Sequence, residues 1–354
     1  MTDNRSLRWS HLRKQTNMKP RAYFEHPTKA VEDSRFSHMM AITLSPRSRY
    51  REGLIRCITS REGNIEVRGY VDRSQLFMVS GDSLEHFTVG ERLHLENEEA
   101  ILKKLTPDGW ECIGLEDPDI WIDAETGLTH IYFTIPIKSP KQEDKIHVHL
   151  GHAVGNDLHS LIMTEPVLLQ DEVLHASAKE VSIAPVNSNG VRYNLVESRD
   201  REPENTYSIV RVAIAEDMGK PWTYGPVAFH PVEHHIPWIG GHASPGPLFS
   251  REFIDVGEGK LLGVINGREA NRKVGSEIRY GIFSVGLFIY NYEDGLIEWV
   301  SPEPLIRDSE AKTITFASQF VETKAGEGIL YAHVDDSFVR AYTLYAEGIR
   351  AMLP

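Results

Sequence analysis

Apolar residues along this chain come in short runs rich in Val, Ile, Tyr and Phe, closed off by Gly, Pro, Asn or Asp. Helical periodicity is scarce. Such runs predict strands and turns, because β-branched and aromatic side chains suit a pleated surface. Predicted strands are Gly53–Thr59, Asn64–Tyr70, Gln75–Val79, Ile131–Ile137, Ile146–Val154, Val191–Val196, Ser208–Ile214, Lys260–Ile265, Tyr280–Tyr290, Gly328–Val334 and Val339–Tyr345. Residues 1–27 predict an irregular or helical lead-in, and residues 28–354 a single catalytic domain.

A turn-rich segment followed by paired strands recurs near Ser34, Glu116, Lys179, Gly241 and Thr315, at separations after Glu116 of 63, 62 and 74 residues. A four-stranded blade with its loops takes about 40 to 70 residues, so five blades account for the chain. The expected fold is all-β: a five-bladed β-propeller with four-stranded antiparallel blades around a central funnel. A pair of two-sheet sandwiches is the competing architecture. In a propeller the innermost strands surround one axis, so the recurring polar segments converge on one site.

Composition narrows the function. The 354 residues carry 51 acidic against 38 basic side chains, a formal charge of −13, which disfavours a nucleic-acid partner. A local basic pocket for an anion remains compatible with that balance. Two cysteines, Cys57 and Cys112, are too few for a disulfide scaffold. No secretory leader or membrane-spanning apolar run stands out, so a soluble, cytoplasmic protein with no membrane partner is expected. Dinucleotide, P-loop and Gly-x-Ser-x-Gly patterns are absent, and no organic cofactor is expected. Nor is a metal site assigned, although an ion on the propeller axis stays open. His230-Pro231-Val232-Glu233-His234 matches the His-x-x-Glu-His zinc pattern. That chemistry needs a helix, and Pro231, Pro237 and Gly240-Gly241 predict a loop instead.

The stretch most suggestive of chemistry is Gly114-Leu115-Glu116-Asp117-Pro118-Asp119-Ile120, a carboxylate pair held by a stiff backbone ahead of a strand. Cleaving a glycosidic bond needs a protonated acid at the leaving oxygen; an inverting hydrolase adds a carboxylate that activates water. A phosphorylase needs Arg, Lys or His for phosphate instead.

Six segments, in order, resemble the glycoside hydrolase family of mannoside phosphorylases and related β-mannosidases. They are Leu54-Ile55-Arg56, Gly114 to Pro118, Lys179-Glu180-Val181-Ser182, Gly246-Pro247-Leu248 with Leu261 to Gly267, Ser301 to Ile306, and Val334-Asp335-Asp336-Ser337. The resemblance extends from about Ser34 to Tyr345 and implies a five-bladed propeller acting on an oligosaccharide. It implies that Asp117 is the proton donor and that Arg56, Glu116 and Asp336 contact sugar. Departures are Asp119 where the family has Arg, Glu180 for Asn, Glu197-Ser198-Arg199 where a His-Arg pair is expected, and Asn266 for His. These changes put Glu180 and Glu197 forward as candidate bases and favour hydrolysis. Lys179, Arg199 and Arg268 keep a phosphate partner, hence phosphorolysis, open. His242 and Asn266 are further candidates for the pocket, and Trp238 could stack on a sugar or pack in the core.

Asp119 and Glu180 are also similar to positions of arabinanase and xylosidase propellers, which implies an acidic trio of Asp33, Asp119 and Glu180. A non-catalytic glycan-binding propeller is the reading from another class. Oligomeric state is open, and the lead-in could cover a neighbouring protomer's pocket in a homo-oligomer.

Overall fold

The computed structural model describes residues 20–63, 71–140, 146–201, 206–275 and 277–354. The predicted strand Asn64–Tyr70 and residues 1–19 of the lead-in lie outside them. The chain is a five-bladed β-propeller. Blade 1 is Met39–Leu44, Glu52–Glu62, Val71–Ser83 and His86–Arg92. Blade 2 is Glu116–Ile122, Thr129–Lys138, Ile146–Gly155 and Leu161–Met163. Blade 3 is Lys179–Ser182, Arg192–Arg201, Thr206–Ala215 and Thr223–Phe229. Blade 4 is His242–Leu248, Lys260–Arg268, Phe283–Asn291 and Leu296–Val300. Blade 5 is Thr315–Lys324, Glu327–Val334 and Phe338–Tyr345, completed by the N-terminal strand Tyr23–Val31.

Consecutive strands within each blade pair antiparallel, as in Arg192↔Ala215 to Arg201↔Thr206. A blade is covered on both faces by its neighbours, and a middle strand can be buried nearly throughout: nine of the ten residues of Thr129–Lys138 are. The core is accordingly split into one layer per blade interface. Leu54 and Leu76 meet Ile131 and Phe133 between blades 1 and 2. Tyr132 meets Val196 between 2 and 3, and Val212 meets Phe288 between 3 and 4. Leu287 meets Leu330 between 4 and 5, and Tyr331 meets Phe87 between 5 and 1.

Trp238 locks the inner part of blade 4. It sits in the short 3₁₀ turn Pro237–Ile239, is buried, and donates Nε1–H to Ser301 O at 3.0 Å. Its ring fills a slot opened by two glycines: a Cβ on Gly267 or on Gly286 would come within 2.4 Å of it. Of the two roles open to Trp238, the structure supports the core one. Gly286→Ala should therefore overpack the slot and cost about 1–3 kcal/mol. A urea midpoint that does not fall, at constant m, would contradict this.

The boundary placed at residue 27 falls inside a strand. Tyr23–Val31 runs antiparallel to Phe338–Tyr345, from Tyr23↔Leu344 to Val31↔Val339, and so closes the ring between the two chain ends. Buried Arg340 rivets this closure. Its Nε donates to Asp308 Oδ2 at 3.0 Å, Nη1 to His26 O at 3.3 Å and Nη2 to Glu310 Oε1 at 2.6 Å.

Candidate active site

All five innermost strands carry the same irregularity. The register slips between Met40 and Thr43, Glu116 and Asp119, Lys179 and Val181, Pro245 and Leu248, and Ala317 and Gln319. Such a bulge re-aims side chains, and bulges favour the rims of closed sheets and active sites. In three blades the bulge residue is a non-glycine in left-handed conformation: Ala41 (φ 50°), Asp117 (φ 48°) and Glu180 (φ 51°). Strained φ of this kind clusters where a side chain must face a ligand.

Arg56, on the second strand of blade 1, organises the carboxylate pair. Nη1 donates to Asp117 Oδ1 at 2.8 Å, Nη2 to Glu116 Oε1 at 2.7 Å and Nε to Ser74 Oγ at 2.9 Å. Ser74 Oγ donates in turn to Glu116 Oε1 at 3.1 Å. Burial alone would lower the Arg56 pKa, but Glu116 and Asp117 raise it, so the guanidinium stays charged.

Asp117 and Glu180 meet across the blade 2–blade 3 interface. Asp117 Oδ2 is buried and receives no hydrogen bond from any N–H or hydroxyl among the described residues, and the Asp117 carboxyl interacts with that of Glu180. Two carboxyl oxygens bond only when one carries a proton. The surroundings decide which. Burial pushes Asp117 up, but Arg56 and Lys179 outweigh it and hold this carboxyl below its usual range. Burial and the Asp117 charge push Glu180 well above its own. These opposite directions favour the proton on Glu180 and the charge on Asp117.

Glu197 is ionised. Burial opposes this, but His242 Nε2 stands 3.0 Å from Oε2 and Lys179 Nζ 3.6 Å from Oε1, and together they hold its pKa far down. His242 packs edge-on against Phe283, with Arg268 opposite it in the ladder and stacked over Tyr280, Cζ 4.4 Å from the ring centroid. Arg199 is near Glu197 and donates to Ile146 O at 3.2 Å.

Asp336 reaches the site from the hairpin turn of blade 5. It is buried, 3.2 Å from His333 Nε2 and 3.9 Å from Arg61 Nη2. Burial opposes its ionisation, but His333, Arg56 and Arg61 keep its pKa below the ordinary value. Arg61 makes a double contact with Asp72, Nε to Oδ1 at 2.5 Å and Nη2 to Oδ2 at 2.7 Å. Ser74, Arg61, Asp72 and His333 are site residues that no motif revealed. The one available signal was the three-residue spacing from His333 to Asp336.

Two expectations need correction. Asn266 does not face a ligand: its Nδ2 donates to Ala317 O at 2.9 Å and its Oδ1 accepts from Ala317 N at 2.8 Å, which splices blade 4 to blade 5. Asp33 is not brought to the cluster. It pairs with Arg35 at 2.8 Å, and Arg35 reaches Val89 O on the outermost strand of blade 1, so the Asp33, Asp119, Glu180 trio is not assembled. Asp119 lies farther along its strand, in an axial cavity of about 180 Å³ that it lines with Trp121, Gln319 and Phe320, and that Asp117 and Glu180 also line. Burial pushes the Asp119 carboxyl up to about 7. The segment His230 to His235 forms turns, as expected; His230 faces Asp200 at 3.6 Å and His234 stacks on Phe229, so its ligands diverge.

No protein-family model matches the sequence, and no curated protein matches it either. Solved structures do. The β-1,2-mannobiose phosphorylase of Listeria innocua, in complex with β-1,2-mannobiose, superposes with TM-score 0.63 at 12% identity, over 94% of this chain and 99% of that one. A glycosyl hydrolase from Bacteroides ovatus gives 0.59 at 17% identity, over 93% and 92%. Bacillus subtilis arabinanase gives 0.51 at 11% identity, over 90% and 97%. What the chain shares with these glycoside-acting enzymes, at such identities, is the fold, and there the resemblance read from its sequence holds.

Proposed function

We propose that the chain is a glycoside hydrolase that cleaves a β-mannoside-type oligosaccharide with inversion of configuration, with the Glu180–Asp117 pair holding the proton delivered to the leaving oxygen. The observation that carries this is the pairing of the Asp117 and Glu180 carboxyls, whose surroundings push them in opposite directions. A general acid must be protonated near neutral pH yet able to give its proton up. Glu180 meets the first condition through burial and the charge beside it, and the second because Lys179 and Arg56 stabilise the anions left behind. The β-mannoside class rests on the six sequence segments and on the mannobiose bound by the Listeria innocua protein.

Water is favoured over phosphate as acceptor because the deepest cations are already matched. Arg56 directs Nε, Nη1 and Nη2 at Ser74, Asp117 and Glu116, and Arg61 forks onto Asp72. A bound phosphate would have to displace these carboxylates from their guanidinium forks. Manno-oligosaccharides incubated with the protein in phosphate-free buffer should release free sugar at a rate that added phosphate does not raise. Strict phosphate dependence, with a sugar 1-phosphate as product, would overturn the proposal. Sugar binding without turnover would favour the glycan-binding reading.

A further inference from the structure

We propose that Asp336 is the carboxylate that activates the attacking water, and that His333 is the residue that positions it. This rests on the hydrolase reading above and assigns its second catalytic group. A ring of five blades places blade 3, which carries Glu180, across the funnel from the junction of blades 5 and 1. Asp336 stands at that junction, on blade 5, with Arg61 and Arg56 of blade 1 beside it. Inversion requires this arrangement, with the acid on one side of the sugar ring and the base and its water on the other.

Two adjacent aspartates divide the work in the blade 5 hairpin. Both have left-handed backbone, φ 47° at Asp335 and 53° at Asp336. The Asp335 carboxylate is filled by backbone: it accepts from Lys312 N, Thr313 N and Ile314 N at 2.9 to 3.0 Å, which anchors the turn. Asp336 is thereby turned inward. His333 Nδ1 accepts the backbone N–H of Ala41 at 3.3 Å, so the ring proton sits on Nε2 and points at Asp336 Oδ1, 3.2 Å away. Stacking on Phe316, with centroids 5.1 Å apart and planes 15° apart, fixes the ring. One carboxylate oxygen is thus held by His333, while the other faces the arginine side. Glu197, the rival base, is ionised but clasped between Lys179 and His242.

In the step, a water oxygen bonds to the anomeric carbon and gives a proton to Asp336. The glycosidic carbon–oxygen bond breaks, its electron pair goes to the leaving oxygen, and that oxygen takes the Glu180 proton. No oxidant or further reactant is needed.

The test uses an aryl β-mannoside with a good leaving group, the full-length chain, and azide as a nucleophile that needs no base. Asp336→Gly should lose about 10²- to 10⁴-fold in hydrolysis. Azide should restore turnover, with α-mannosyl azide as product. In Asp336→Asn, which keeps the side-chain volume, hydrolysis should fall comparably. His333→Gln should lower kcat more than it changes KM, and should cost nothing further in the Asp336→Gly background with azide present. A folded Asp336→Gly that azide does not rescue, or a β-configured azide product, would overturn the assignment. Additional loss from His333→Gln in the rescued background would overturn the positioning role. If the wild type turns over no glycoside at all, the hydrolase reading itself fails, which is distinguishable from failure of Asp336 alone.

Discussion

Replacing Glu180 by Gln is expected to lower kcat/KM on manno-oligosaccharides by about 10² to 10⁴, while the fold survives. The substitution keeps the shape and a hydrogen bond to Asp117 but removes the transferable proton. In the wild type, Glu180 is protonated below its raised pKa, so activity should fall as pH climbs through that value. Glu180→Gln should lose this basic limb. Asp117→Asn should also be impaired, because it removes the charge that keeps the proton on Glu180. A full-rate Glu180→Gln enzyme would remove the proton donor from the account.

Arg340→Met should destabilise the protein by about 3–5 kcal/mol, the usual cost of stranding one partner of a buried ion pair. The stranded partner is Asp308, which is buried and also accepts a hydrogen bond from Tyr342. The lost contacts include the His26 carbonyl on the N-terminal strand, so ring closure should loosen first. Amide exchange along Tyr23–Val31 should rise before exchange in blade 3. Adding Asp308→Leu to Arg340→Met should recover much of the loss, since a buried pair replaced by apolar groups is often neutral. A midpoint unchanged in Arg340→Met would show that ring closure does not depend on this pair.

The two middle strands of each blade were legible because neighbouring blades cover both their faces. Predicted blade starts at Glu116, Lys179, Gly241 and Thr315 coincide with, or fall one residue from, the inner strands beginning at Glu116, Lys179, His242 and Thr315. Outermost strands such as His86–Arg92 and Thr223–Phe229 escaped notice because only two of the seven residues in each are buried, which weakens the pattern. Residues 23–27 of Tyr23–Val31 were read as lead-in because the strand's partner, Phe338–Tyr345, lies far away in the sequence. The same non-locality explains the site. Glu116, Asp117, Lys179 and Glu180 could be found, since each begins a blade. Asn266 was misjudged because its amide matches a backbone edge of the next blade. Which carboxyl of the cluster holds the proton was not legible, because charge state depends on Arg56, Lys179 and Glu180, which no linear pattern brings together.

The central claim is that Glu180 delivers the proton to the leaving oxygen, and its most direct test is leaving-group dependence. kcat/KM would be measured for wild type and Glu180→Gln across aryl β-mannosides of graded leaving-group pKa, in phosphate-free buffer. The account predicts a shallow dependence in the wild type and a steep one in the variant, with the deficit shrinking towards the best leaving groups. Parallel dependences, offset by a constant factor, would contradict it.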